Sequence, residues 1–225
     1  MLSDFERDGY AIHAGALVGE ALRLALADEF DEIVSGGVRH LLDRPSVRSV
    51  LNEPSLRSII HALLGRRAFA YKATLFDKNS DVNWLVAWHQ DISIPVSRRL
   101  DIEEWRGWSI KDQVQYVQPP DNILSTLVAL RLHLDACVAN NGPLRVLARS
   151  HTFGKIRRTE IATMAGKFQE HLVTGAIGSA LLMRPLLVHA SSKSAARGKR
   201  RRVLQLEFAA IDLPDGLDWH RRVSL

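Results

Sequence analysis

From residue 66 onward the sequence is cut into short apolar runs by residues that interrupt regular structure. This pattern constrains the fold more than any other feature. Runs at 69–76, 85–90, 125–134, 144–148, 179–183, 186–189 and 201–211 carry the β-branched, aromatic and aliphatic residues of strands. Between them stand Asn79-Ser80-Asp81, Asn140-Asn141-Gly142-Pro143, Gly175, Gly178, Pro185 and Gly198, which favour turns. The first 65 residues read differently. Ser3 with Glu6 three positions on matches a capping box, and Gly9 stops that short helix. Leu17, Ala21, Leu22, Leu24, Ala25, Phe30 and Ile33 recur at helical spacing over 16–34, ended by Gly36-Gly37. Pro45 and Pro54 each open a further helical stretch, the second running to Leu64 and stopping at Gly65. Residues 156–170 read as a loop with a helical turn. Helices followed by many short strands predict an α+β chain, mainly β, whose strands close into a sandwich or barrel.

With 225 residues and no repeat or Pro/Gly/Ser-rich linker, one domain is the economical reading: 1–65 mainly helical, 66–225 the β core. Hydrophobic content of 46% and charged content of 24% exclude a disordered chain. The single Cys137 excludes a disulfide framework and predicts a reducing, cytoplasmic setting. Met1 is followed by Leu-Ser-Asp-Phe-Glu-Arg-Asp, which is charged, so no signal peptide is expected. No apolar run approaches the ~20 residues of a membrane span. The net charge of +5 is concentrated in Arg197 to Arg202 and Arg221-Arg222, with few aromatics interleaved. A basic module for nucleic acid would spread basic residues over one face, so this pattern argues against it.

The chemistry is carried by Trp88-His89-Gln90-Asp91, His189 and the arginines beyond it. Along a strand, residues i and i+2 share a side, so His89 and Asp91 can reach one ion while Gln90 points away. Two histidines and a carboxylate on one face of a metal, with open positions left, form the ligand set of non-haem Fe(II) oxygenases. An arginine after the distal histidine could grip an anionic co-substrate. His-x-Asp alone is weak evidence, because chance supplies a little under one triplet in such a chain. This chain has two, His89-Gln90-Asp91 and His133-Leu134-Asp135. Spacing to His189 does not separate them. Context favours the first, since His89 ends a strand, whereas His133 lies inside an apolar alternation where histidine is usually structural.

Taken together, these segments resemble the phytanoyl-CoA dioxygenase family of Fe(II)- and 2-oxoglutarate-dependent oxygenases. The stretch from Trp84 through His89 to Asp91 looks like the family's first metal segment. Leu130-Arg-Leu-His-Leu-Asp135 and the run from Asn140-Asn-Gly-Pro through Ser150-His151 look like its middle block. Leu186-Leu-Val-His-Ala-Ser-Ser192 and Arg201 to Phe208 look like its closing block, and Phe5-Glu-Arg-Asp-Gly-Tyr10 like its opening. The pattern departs at Ala148-Arg149, where the family often has Pro-Gly before the serine.

The resemblance selects His89 and Asp91, with His189, as the metal ligands and makes His133 and Asp135 scaffold. It implies a double-stranded β-helix (jelly-roll, cupin-like) with the N-terminal helices packed outside. It implies Fe(II), 2-oxoglutarate and O2 as cofactors and co-substrates. The expected reaction is hydroxylation or a related oxidation of a small organic substrate, with release of succinate and CO2. Arg201 is placed at the distal carboxylate of 2-oxoglutarate by its position on the last strand; counting from the distal histidine gives Arg200 instead. Ser191 and Lys72 match positions that contact the co-substrate in some relatives. Halogenating relatives have a small residue where this chain has Asp91, so oxidation is expected. If Arg201 points inward, so do Val203, Gln205 and Glu207, while Leu204, Leu206 and Phe208 face the helices. Trp84, Trp88, Trp105 and Trp108 are candidates to line or cover the pocket. Two other classes remain as alternatives: a cupin-like protein using another divalent metal without 2-oxoglutarate, and the basic nucleic-acid module.

Overall fold

The computed structural model describes residues 1–29, 37–79, 82–196, 200–214 and 216–225. The first helix, α1 (Leu2–Asp8), ends at Gly9 with φ 81°, the left-handed cap that glycine adopts without strain. Its N-cap is Met1, with no side-chain cap bond. The expected capping box does not form, because the helix starts two residues early and draws Ser3 into its first turn. A strand missed in the sequence, β1 (Tyr10–His13), comes next, then α2 (Glu20–Glu29) and β2 (Gly37–Arg39). The remainder of the helix expected over 16–34, with its end at Gly36, lies outside the described residues. So do Ser80, Asp81, Arg197 and Gly198. The helices α3 (Pro45–Leu51) and α4 (Pro54–Leu64) each open on proline, whose fixed φ suits the first turn and whose missing N–H leaves no bond unmade.

The strands follow in chain order. They begin with β3 (Phe69–Lys78), β4 (Val86–His89), β5 (Ile94–Val96), β6 (Arg106–Lys111) and β7 (Val114–Gln118). After the short α5 (Asp121–Leu124) come β8 (Val128–His133) and β9 (Leu144–Leu147), then α6 (Arg158–Ala165). The rest are β10 (Glu170–Val173), β11 (Ala180–Met183), β12 (His189–Ser191), β13 (Arg201–Ala209) and β14 (Val223–Ser224). A large sheet runs β1-β11-β8-β13-β3-β14, with β2 also on β3, and a smaller one runs β10-β9-β12-β4. Every pairing is antiparallel. The pair of sheets forms the double-stranded β-helix expected from the sequence. The stretch 92–124, which reads as a long connection, instead holds a third sheet, β5-β7-β6. Its hairpin turns at Asp112-Gln113, both with positive φ (50° and 66°).

The central strand β13 shows why the layers lie as they do. It pairs with β3 on one side and β8 on the other. Leu204, Leu206 and Phe208 point outward into a core shared with Leu41, Val47, Leu51, Leu56 and Ile60 of the helical layer. Burying each such side chain contributes about 2 kcal/mol. The opposite face of β13 carries Arg201, Gln205 and Glu207 into the space between the sheets, where the functional side chains gather. Another strand differs from expectation: β12 begins at His189, while Leu187 before it bonds back to Arg184 in a turn. No described helix is long and apolar enough to cross a membrane.

Candidate metal centre

His89 on β4 and His189 on β12 are direct cross-strand partners, with ring centroids 4.2 Å apart. Asp91 follows β4, held by its backbone N–H on the Pro185 carbonyl at 2.9 Å. Its two carboxylate oxygens lie 3.7 Å from His89 Nε2 and 3.7 Å from His189 Nε2. One ligand atom from each of the three lies within 4.8 Å of the others. Each histidine places Nδ1 2.9 Å from a carbonyl two residues earlier, Ala87 and Leu187. That bond needs the proton on Nδ1, which leaves both Nε2 lone pairs facing one point. Gln90, between them, points away as strand alternation requires. It donates to the Leu186 and Gly154 carbonyls at 2.6 and 2.8 Å and accepts from the Ile156 N–H at 2.8 Å.

The electrostatics of His189 and Asp91 suit metal binding. Burial, with His89 alongside, pushes His189 down to about 4, so its imidazole is neutral at pH 7. Burial opposes the charge on Asp91, but the attraction of His189 and His89 in their protonated forms, and of Lys72 and Arg131, outweighs it and holds the carboxyl below its usual range. Behind Asp91 lies a buried polar network. Gln205 Nε2 donates to Asp91 at 3.3 Å and to Glu207 at 2.8 Å, while Arg131 donates to Gln205 Oε1. Glu207 also accepts from Lys72 at 2.8 Å and from the Tyr71 hydroxyl at 3.1 Å.

The three candidate ligands open on a cavity of about 70 Å³ that is also lined by Trp84, Phe76, Arg131, Ser191 and Arg201. Arg201 is 3% exposed, and its Nε has no hydrogen-bond partner among the described residues. Arg200, the other candidate, is turned away and bonds the buried Asp77 at 2.8 and 2.7 Å. Ser191 lines the cavity, but its partner is Lys78, which donates to Ser191 Oγ and the Ser192 carbonyl at 2.7 Å each. Burial and the nearby Arg201 push Lys78 down to about 8. Lys72 sits elsewhere, and the register explains it: Arg201 pairs with Lys78 across the sheet, and Glu207 pairs with Lys72. The two lysines share a face of β3 but lie at opposite ends.

The second His-x-Asp triplet is structural. His133 Nδ1 contacts Ser179 Oγ at 3.0 Å, and Asp135 clamps Arg202 at 2.9–3.0 Å. Of the four tryptophans, Trp84 lines the cavity and Trp88 sits on an adjacent groove under Arg145. Trp105 is buried in a separate apolar cluster, with Trp108 packed against it. The sequence reading missed Arg131 and Lys78. Arg131 could have been found from the alternation of β8, where it lies opposite Gln205.

Comparison with known proteins follows the same lines. The model of the phytanoyl-CoA dioxygenase family matches residues 21–203. No curated protein matches the sequence. Among solved structures, EctD from S. alaskensis with bound Fe superposes with TM-score 0.69 at 17% identity, over 92% of this chain and 75% of that one. AviO1 from Streptomyces viridochromogenes Tue57 gives 0.65 at 19% identity, over 95% and 94%. SnoK, described as a non-haem alpha-ketoglutarate-dependent carbocyclase from nogalamycin biosynthesis, gives 0.67 at 14%, over 96% and 87%. At these identities the structures speak for the fold, a shared double-stranded β-helix. The family match spans more than three quarters of the sequence and includes both histidines and the aspartate of the triad: the chain belongs to the phytanoyl-CoA dioxygenase family of Fe(II)- and 2-oxoglutarate-dependent oxygenases.

Proposed function

We propose that this protein oxidises a C–H bond of a small organic substrate, with hydroxylation as the outcome and with conversion of 2-oxoglutarate to succinate and CO2. His89, Asp91 and His189 would hold Fe(II), and Arg201 would bind the distal carboxylate of 2-oxoglutarate. The observation that carries this reading is the convergence of two Nε2 atoms and one carboxylate within 4.8 Å, beside a buried guanidinium. The donor set fits the metal: two imidazoles and one carboxylate leave positions for a chelating co-substrate and O2. The unmatched Arg201 Nε fits the co-substrate, because an arginine in a buried cavity needs an acceptor.

When bound, the metal and 2-oxoglutarate supply the oxidising chemistry, for which side chains have no equivalent. The chain's own groups do the rest. Backbone carbonyls fix the histidine tautomers. Gln205 orients Asp91. Ser191, set by Lys78, offers a second polar contact near Arg201. Phe76, Val86, Leu144 and Trp84 give the cavity an apolar wall that keeps out water. A carboxylate at 91 fills the place a halide would need, which favours oxygen insertion.

The test is spectroscopic. Anaerobic addition of Fe(II) and 2-oxoglutarate should give a weak visible charge-transfer band. The variant Asp91→Ala should lose both band and turnover, whereas Asp135→Asn should keep the band despite lower stability. Absence of the band from folded, metal-loaded wild-type protein would refute the reading. Succinate release across a substrate panel then tests the reaction.

A further inference from the structure

Resting on the reading just given, we propose that the substrate carries a carboxylate and that Lys111 and Tyr116 receive it. Both residues stand on the hairpin of β6 and β7 in the third sheet. Lys111 Nζ lies 4.7 Å from the centre of the Tyr116 ring. Lys72 Nζ lies 5.9 Å from the same centre, and the His40 ring centroid is 6.1 Å away. Tyr116 is 1% exposed, yet its hydroxyl has no hydrogen-bond partner among the described residues, and neither has the buried His40 Nε2. Buried polar atoms left unmatched are costly and rare, and the Tyr116 hydroxyl is a donor, so the pair marks a place where a ligand supplies a partner.

The charges around the ring identify the ligand. Lys72 is matched by Glu207 at 2.8 Å and Arg39 by Asp112 at 3.1 Å. Lys111 has no carboxylate partner among the described residues. The groups that act on it are Lys72 and Arg39, which repel it, and Asp91 and Glu207, which attract it but are already engaged. One surplus ammonium beside one hydroxyl donor suits a monoanion with two acceptor oxygens. A phosphate dianion would leave a charge unmet. The Arg39–Asp112 pair ties the hairpin turn to β2 and so holds Lys111 in place.

The cluster is joined to the metal centre by a short chain. Lys72 bonds Glu207 at 2.8 Å, Glu207 accepts from Gln205 at 2.8 Å, and Gln205 bonds Asp91 at 3.3 Å. Its neighbours His40 and Lys72 border a cavity of about 240 Å³ that continues to His220 and to Arg221, which is paired with Asp43. A carboxylate anchored here would leave the rest of the substrate to reach toward Asp91 and His89.

The experiment uses protein loaded anaerobically with Fe(II) and 2-oxoglutarate. Fluorine NMR follows the binding of 4-fluorophenylacetate, of its neutral amide, and of 4-fluorophenyl phosphate. The acid should bind at least about tenfold more tightly than the amide and more tightly than the phosphate. Lys111→Met and Tyr116→Phe should each weaken the acid roughly tenfold, leave the amide unchanged and leave the charge-transfer band intact. Equal binding of acid and amide, tighter binding of the phosphate, or unchanged acid binding in Lys111→Met would overturn the assignment. Failure of the band to form in wild-type protein would instead overturn the proposed function.

Discussion

Gln205 reaches Asp91 with its amide nitrogen at 3.3 Å, and the orientation of that amide is set by Arg131 on the neighbouring strand. A guanidinium only donates, so the Gln205 oxygen must face Arg131. The nitrogen then faces Asp91 and Glu207. The geometry of one proposed metal ligand therefore depends on two side chains from the large sheet, across the barrel from β4.

Replacing Gln205 by Leu removes the donor to Asp91 and keeps most of the side-chain volume. Fe(II) affinity should fall about 10- to 100-fold, the usual effect of losing a group that orients a metal ligand. Titration of the anaerobic charge-transfer band with iron measures this directly. An unchanged affinity would mean that Asp91 is held by its backbone alone.

The two arginines at 200 and 201 should separate cleanly. Loss of two charge-assisted bonds in Arg201→Ala should raise KM for 2-oxoglutarate on the order of a hundredfold, with a smaller effect on kcat. Arg200→Ala should leave KM within about twofold but lower the melting temperature, because it strips the ion-pair partner from Asp77, which is 1% exposed and keeps only the 3.4 Å bond from Asn79 among the bonds described. A large KM effect in Arg200→Ala would reverse the assignment.

The parts of this structure that sequence made legible are those that depend on neighbours along the chain. Pro45 and Pro54 announce helix starts because a proline's constraint is local. The alternation of β13 separates Leu204, Leu206 and Phe208 from Arg201 and Gln205 because strand period is local too. His89 and Asp91 share a side for the same reason. What stayed hidden depends on register between distant segments. Lys72 and Lys78 are equivalent by alternation on β3, and only the pairing of β3 with β13 sets Lys78 opposite Arg201. Arg131 gains its role from Gln205, 74 residues away in sequence. Residues 106–111, Arg-Gly-Trp-Ser-Ile-Lys, are too polar to read as a strand, and they form one because β7 pairs with them. Local context only favours His89 over His133; the contact of the buried His133 ring with Ser179 is not legible from it.

That burial also makes His133 a source of acid sensitivity. Desolvation, reinforced by Arg131 and Arg201, pushes it down to about 4 from an ordinary value near 6.5. Between these values the unfolded chain binds a proton that the folded chain does not. Stability therefore falls as pH drops through 6.5 toward 4 and levels off below that. From pH 7 to pH 5 the loss attributable to His133 should be about 2 kcal/mol. His133→Asn keeps a polar atom for Ser179 and removes the titration. Urea midpoints of metal-free wild type and variant, at both pH values, isolate the effect, because His189 titrates alike in each protein and cancels. The variant should lose less stability on acidification than wild type. Parallel losses in the two proteins would show that His133 is already protonated in the fold or exposed to water.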